Sequence, residues 1–275
     1  MGLNGARHRE WYATEYLREG PIEDWVTGAT ALPRNRFRGY LLLLNLDAEH
    51  EAGVELTFYY ADQAPRQAEY TVGAGIQGLV YLGEESSNRP AGIPVDKPFG
   101  IRVCSNVPVV AQFTMGDALE GDPVTNNMVT HMLTPGPLGP RHRVWCYVDS
   151  IVLRSERALE EREWFTVLNP QMVPARVAAR FIPGSMLLPP GQGPNRVASD
   201  HKPFSVCFTV PPERLMRKRL HEDIEEYLPN RHYSVIIESD VPVTVQAIRR
   251  IFRRGQYDAS TSMPVLDALP IGPEA

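Results

Sequence analysis

The chain has 275 residues, 43% hydrophobic and 22% charged, with a formal net charge of −5. That length fits two domains or one large one, and the acidic balance gives no global basic field to draw it to nucleic acid or anionic lipid. Three well-separated cysteines, Cys104, Cys146 and Cys207, exclude a disulfide scaffold and offer no metal-ligand spacing.

The first residues carry no apolar signal core, and Ala6 stands where myristoylation wants Ser or Thr, so a reducing, cytoplasmic location is expected. No apolar run reaches 18 residues, so no membrane insertion is expected. The 25 prolines exceed the roughly 5% average usage and fall between short apolar runs, the pattern of many turns joining short strands.

In chain order, the pattern predicts strands at Trp11–Leu17, Gly39–Leu46, Val54–Tyr60, Gln67–Val72, Ile76–Leu82, Phe99–Cys104 and Val109–Thr114. Gly73-Ala-Gly75-Ile-Gln-Gly78 fits a dinucleotide fingerprint on paper. Strands on both sides, with no helix after it, make it a turn, and no cofactor is expected. Thr134 to Pro140 is a stiff Pro/Gly linker. A second set of strands is predicted at Val144–Asp149, Trp164–Leu168, Val177–Ile182, Phe204–Val210, Tyr233–Glu238 and Val243–Ile248. Between them, Met216, Leu220, Ile224 and Leu228 recur at i, i+4, which predicts a helix over 213–228. Its basic residues come first and its acidic ones last, against the macrodipole, so tertiary contacts are needed to hold it. His221-Glu222 lacks the second histidine of a zinc helix. The tail after Gly255 is expected to be mobile.

The chain repeats itself. Ser105-Asn-Val-Pro-Val-Val-Ala-Gln112 recurs as Ser239-Asp-Val-Pro-Val-Thr-Val-Gln246, and Trp11…Glu15 recurs at the same spacing as Trp145…Asp149. Arg38–Asn45 parallels Arg162–Asn169, and Val54–Phe58 parallels Val177–Phe181. A repeat this long means tandem domains rather than a solenoid. The expectation is an all-β fold of two β-sandwich domains, residues 1–133 and 141–255, joined by the 134–140 linker, with one inserted helix in the second and a 256–275 tail.

Polar residues on strand patterns of the first copy suggest a site. Trp11 and Glu15 lie four apart on one strand, so regular alternation puts them on one face. Gln112 and Thr114 share a face, Asp117 follows, Asn45 ends another strand, and Tyr60 and Asp62 end a third. An indole covers the C–H faces of a polyhydroxylated ligand, while carboxylates and amides grip its hydroxyls. The plainer reading is that Trp11 is core and the polar groups cap turns. Thr114, Asp117, Tyr60 and Asp62 become Ile248, Ile251, Pro183 and Ser185 in the second copy, so the fold does not need them. Glu15 and Asp117 could instead be the acid and base of a sugar-active enzyme. Arg249, Arg250, Arg253 and Arg254 with Arg217, Lys218 and Arg219 could form a patch for phosphate, nucleic acid or an anionic protein partner, or be ordinary solvated edge-strand charge.

The motifs Trp11…Glu15, Leu44-Asn45, Tyr59-Tyr-Ala-Asp62 with Pro65, Ile93-Pro94, and Ser105–Gln112 through Thr114 and Asp117 together resemble the sensory rhodopsin transducer family over about residues 9–133. The second copy resembles it more thinly, at Trp145, Asn169 and Ser239–Gln246. The resemblance implies β-sandwich domains that assemble into symmetric oligomers and bind small molecules, such as sugars or related metabolites. Together with the residue pattern, the expectation is a non-enzymatic protein for a small polar ligand, bound by Trp11, Glu15, Asn45, Tyr60, Asp62, Gln112, Thr114 and Asp117. It also implies a homo-oligomer in which a tandem chain needs fewer copies, for example a dimer forming a four-domain ring.

Overall fold

The structure, a computed structural model, describes residues 9–16, 35–82, 98–119, 127–135, 143–150, 159–186, 196–197, 202–228, 231–253, 266–267 and 269–270. The first half contributes β1 (Glu10–Tyr16), β2 (Asn35–Asn45), β3 (Ala52–Tyr59), β4 (Arg66–Val72), β5 (Gln77–Tyr81), β6 (Phe99–Ser105), β7 (Val109–Leu119), β8 (Asn127–Met132) and β9 (Thr134–Pro135). The second contributes β10 (Val144–Ser150), β11 (Leu159–Asn169), β12 (Ala175–Pro183), β13 (Ser185–Met186), β14 (Arg196–Val197), β15 (Phe204–Val210), β16 (Arg214–Arg219), α1 (Leu220–Asp223), β17 (Tyr233–Ser239), β18 (Thr244–Arg253), β19 (Leu266–Asp267) and β20 (Leu269–Pro270).

These strands form the same pair of sheets twice. In the first half, a first sheet of order β4-β3-β6-β1-β9 faces a second of order β5-β2-β7-β8. In the second half, a third sheet of order β15-β12-β17-β10-β20 faces a fourth of order β16-β11-β18-β19. The small β13-β14 hairpin falls between β12 and β15, and the described residues of the first half show no counterpart. Every strand of the first half therefore has a partner at the same place in the second, as the repeated motifs require.

Alternation builds each core. Leu41 and Leu43 of β2, Ala111 and Phe113 of β7, Leu56 and Phe58 of β3, and Ile101 and Val103 of β6 point between the first two sheets. Phe165, Val167, Ala179, Phe181, Val235 and Val245 do the same in the second half. The Gly73–Gly78 fingerprint is the expected turn. Gly75 takes a φ of +65° there, which glycine adopts without cost, and donates its N–H to Asp47 O at 2.7 Å.

The helix predicted over 213–228 is a correction. Residues 214–219 are β16, which pairs with β11 from Trp164↔Arg219 to Asn169↔Arg214, and only Leu220–Asp223 is helical. The chain turns at Glu213, φ +52°, and enters the edge of the fourth sheet where β5 enters the second. Strand pairing overrides the i, i+4 spacing. Leu215, one residue off that stripe, is buried. The adverse charge order has the same explanation, because those charges never share one helix. The tail beyond 255 also contributes, through β19 beside β18 and β20 beside β10. No helix among the described residues is long and apolar enough to cross a membrane.

Candidate functional site

The residues singled out in the sequence fall into separate environments. Trp11 is 4% exposed, lies in the first core, and donates its Nε1–H to Val109 O at 2.9 Å. Trp145 repeats this with Val243 O at 3.1 Å. Asn45 is buried at the end of β2. Its amide donates to the carbonyls of His50, Val72 and Gly73 at 2.8–3.2 Å, and its Oδ1 accepts the Asp47 N–H. Asn169 makes the same set with Val173, Val210, Pro211 and Gln171. The hydrogen-bonding capacity of both asparagines goes into knitting strand ends together.

Tyr60 is fully buried, its ring 6.2 Å from Phe99, whereas Asp62 is exposed in the following turn. Gln112 and Thr114 project from the outer face of the second sheet, beside Leu42 and Tyr40, on the far side from Trp11. Glu15 lies on β1 of the first sheet and Asp117 on β7 of the second, paired with Phe37 and Asn127. Their side chains lie outside the described residues. The alternation that put Trp11 and Glu15 on one face is interrupted. Ala13 pairs with Ile101 and Tyr16 with Phe99, so β1 carries a one-residue bulge between them.

The outer face of the first sheet gathers a different polar set. Its strands align Glu69, Glu55, Cys104 and Glu10 in one row across β4, β3, β6 and β1. Glu55 and Glu69 stand directly opposite each other. Beside them opens a groove of about 670 Å³ whose lining includes both glutamates, Tyr70, Thr71, Cys104 and Asn106. Like charges directly opposite on a sheet cost stability. Thr57 Oγ1 offers Glu55 one long hydrogen bond, at 3.5 Å. Asn106 is fixed at the rim, its Oδ1 accepting the Gly53 N–H at 2.8 Å. Tyr70, next to Glu69 along β4, packs against the first core instead, and that burial raises its phenol above its ordinary pKa. No cluster of three or more metal-ligating side chains occurs among the described residues.

Next along the same face lie Arg102, Tyr12 and Tyr59. Arg102 Nε donates to Glu10 Oε1 at 2.6 Å, and Tyr12 OH donates to the same oxygen at 3.0 Å. Tyr12 and Tyr59 pack with Leu168 and Leu215 of the second half. Burial, opposed by Arg102, lifts the Tyr59 phenol to about 12. Here the halves meet. The Thr14 N–H and hydroxyl both donate to Gln246 Oε1, at 2.6 and 2.8 Å, and the Leu215 N–H reaches Tyr60 O at 3.3 Å. The β1 bulge lies beside Thr14. Gly100 admits the approach, since a Cβ there would sit 3.1 Å from Thr14 O and 3.2 Å from Leu168 Cδ2.

The basic run of the second half is largely engaged within the fold. Arg217 lies 5.2 Å over the Trp164 ring, Lys218 lies 5.4 Å over Phe208, and Arg219 pairs with Glu222 at 2.6 Å. The side chains of Arg249, Arg250, Arg253 and Arg254 lie outside the described residues.

Sequence reasoning missed Glu55 and Glu69, because only the β3–β4 register brings them together. The one available signal was their position as charged residues on the wet face of two neighbouring strands.

Residues 28–132 match the family model of the Anabaena sensory rhodopsin transducer. Among solved structures, the chain is similar to Thermotoga maritima 1070, at 25% identity over 49% of this chain and 97% of that one, with a TM-score of 0.34. It is also similar to the Anabaena sensory rhodopsin transducer, at 27% identity over 39% of this chain and 81% of that one, with a TM-score of 0.28. No curated protein matches the chain.

Proposed function

We propose that this chain, whose first half carries a transducer-family β-sandwich, is a non-enzymatic binding protein for a small polar metabolite of the carbohydrate class. The observation that carries this reading is the groove on the outer face of the first sheet, where Glu55 and Glu69 oppose each other. Its volume falls in the range of small-molecule sites, roughly 300–1,000 Å³. A ligand rich in hydroxyls relieves the adverse carboxylate pair by donating to both. Thr71 and the fixed Asn106 amide supply complementary partners along the wall.

The test is a thermal-shift screen of the intact chain against sugars, sugar acids, polyols and nucleotides. A binder at 100 times its Kd adds about 2.7 kcal/mol of stability. The groove reading expects a dose-dependent shift with one class of hydroxylated ligand. That shift is lost in Glu55→Gln and Glu69→Gln and kept in Asp117→Ala. Loss in Asp117→Ala with both glutamine variants unaffected moves the site to β7. No shift with any class overturns the small-molecule reading in favour of a scaffold that binds a protein partner.

A further inference from the structure

The outer face of the first sheet is only partly covered. The joint between the halves lies over its Tyr12 and Tyr59, against Leu168 and Leu215, and the groove beside Glu55 and Glu69 stays open. The chain contains its own comparison for that groove, because the third sheet repeats the first strand for strand. Asn106 Oδ1 accepts the Gly53 N–H as Asp240 Oδ1 accepts the Arg176 N–H, both at 2.8 Å. Arg176 therefore stands in the place of Gly53. The same register puts Ala178 in the place of Glu55 and Cys207 in the place of Glu69. Among the described residues this corresponding face is open as well, with Arg176 and Arg180 exposed.

The second half folds without the opposed carboxylates, so the sandwich does not require them. It also carries a guanidinium where the first half leaves a glycine. Among the described residues that line the groove, none is Lys, Arg or His. One row along the sheet, Arg102 is bound to Glu10 at 2.6 Å. Two like charges facing each other on a sheet repel. A ligand hydroxyl donates to a carboxylate and leaves that charge sum unchanged. A protonated amine donates through several N–H groups and cancels one of the two charges. Its charge-assisted bonds are roughly twice as strong as neutral ones. An anionic ligand meets both carboxylates and is rejected.

We propose that the ligand of this groove is a hydroxylated amine, the class of amino sugars and amino polyols, and that each chain binds one. Its ammonium sits between Glu55 and Glu69, and its hydroxyls meet Thr71 and the Asn106 amide along the wall. Sugar acids are excluded by the same pair. The second half has no such site, because Ala178 and Cys207 replace the carboxylates and Arg176 brings a cation of its own. This deepens the small-molecule reading above and rests on it.

Isothermal titration calorimetry on the full chain tests it with two matched series, glucosamine, glucose and glucuronate, then glucamine, sorbitol and gluconate, at a pH where the amines are protonated. The expectation is one equivalent of an amine, bound about tenfold or more tightly than its neutral partner, and no binding of the acid. Added salt weakens the amine and not the neutral compound. Glu55→Gln and Glu69→Gln each lower the amine's affinity by about tenfold or more. Gly53→Arg copies the second half. A Cβ there meets only Asn106, at 3.7 Å, so the side chain is accommodated, and amine binding is lost while circular dichroism shows an unchanged fold. Neutral compounds that bind as well as the amines, or acids that bind better, overturn the amine class and leave the small-molecule reading standing. Amine binding that survives in Gly53→Arg and in both glutamine variants lies outside the groove and overturns the assignment. No binding of any of the six compounds also overturns the amine class, and the small-molecule reading then stands or falls on the wider thermal-shift screen.

Discussion

Two strands in equivalent places live in different surroundings. Both β2 and β11 run along the middle of a four-stranded sheet. In β11, residues 163–169 are all buried, because one face fills the second core and the other fills the joint. In β2, Leu41 and Leu43 are buried while Leu42 is half-buried and Leu44 exposed, because among the described residues no second layer covers the outer face at Leu42 and Leu44. Duplication copies the fold, and covering one face of one copy is what then separates the copies. The difference between the halves lies in their outer faces and not in their cores.

Equivalence of the cores predicts the largest effect. Trp11→Ala and Trp145→Ala each remove a buried indole that also donates to a strand carbonyl. Each should cost about 3–5 kcal/mol, read as a lowered urea midpoint. Two similar losses sustain the equivalence. A folded, undiminished Trp11→Ala protein that only loses ligand binding would return the indole to a binding surface and break the comparison.

The sequence made this equivalence legible, because turn chemistry and apolar alternation are local and were copied with it. Ser-Asn-Val-Pro and Ser-Asp-Val-Pro mark the same turn, where Asn106 and Asp240 each accept a neighbouring strand's N–H at 2.8 Å. The residues 214–219 were misread because Met216, Leu220, Ile224 and Leu228 hold helical spacing. Setting them against Gln77–Tyr81 of the first copy would have marked a strand. The groove was not legible, since Glu55 and Glu69 are 14 residues apart in the chain and meet only through hairpin register. Trp11 and Glu15 looked like one face because a bulge leaves no trace in residue spacing.

The outer faces predict an unequal pair. Gln246→Ala removes the acceptor of two buried donors from Thr14, which should cost about 2 kcal/mol. Gln112→Ala, at the half-buried counterpart, should change the stability of a single chain by no more than about 0.5 kcal/mol. Chemical unfolding reads both. Equal losses would mean that the second sheet is already covered within one chain, and the comparison would fail.

The smallest effect sharpens the contrast by pH. The internal joint buries Tyr12 and Tyr59, whereas their counterparts Cys146 and Ile182 bring no phenol to the open face. Burial, against the pull of Arg102, holds the Tyr59 phenol neutral up to about 12, compared with about 10 in an unfolded chain. A raised folded value means that the folded state keeps its proton while the unfolded state releases one. The stabilisation is therefore complete below pH 10 and lost as the pH rises from 10 towards 12, by about 1 kcal/mol per unit. Tyr12 is raised in the same direction, first by burial and then by Glu10, and adds to the slope. Urea midpoints at pH 9, 10 and 11 should fall only over the last interval, and Tyr59→Phe should flatten part of that fall. An unchanged slope in Tyr59→Phe would mean that water reaches the phenol, and that the joint is looser than its Thr14–Gln246 bonds indicate.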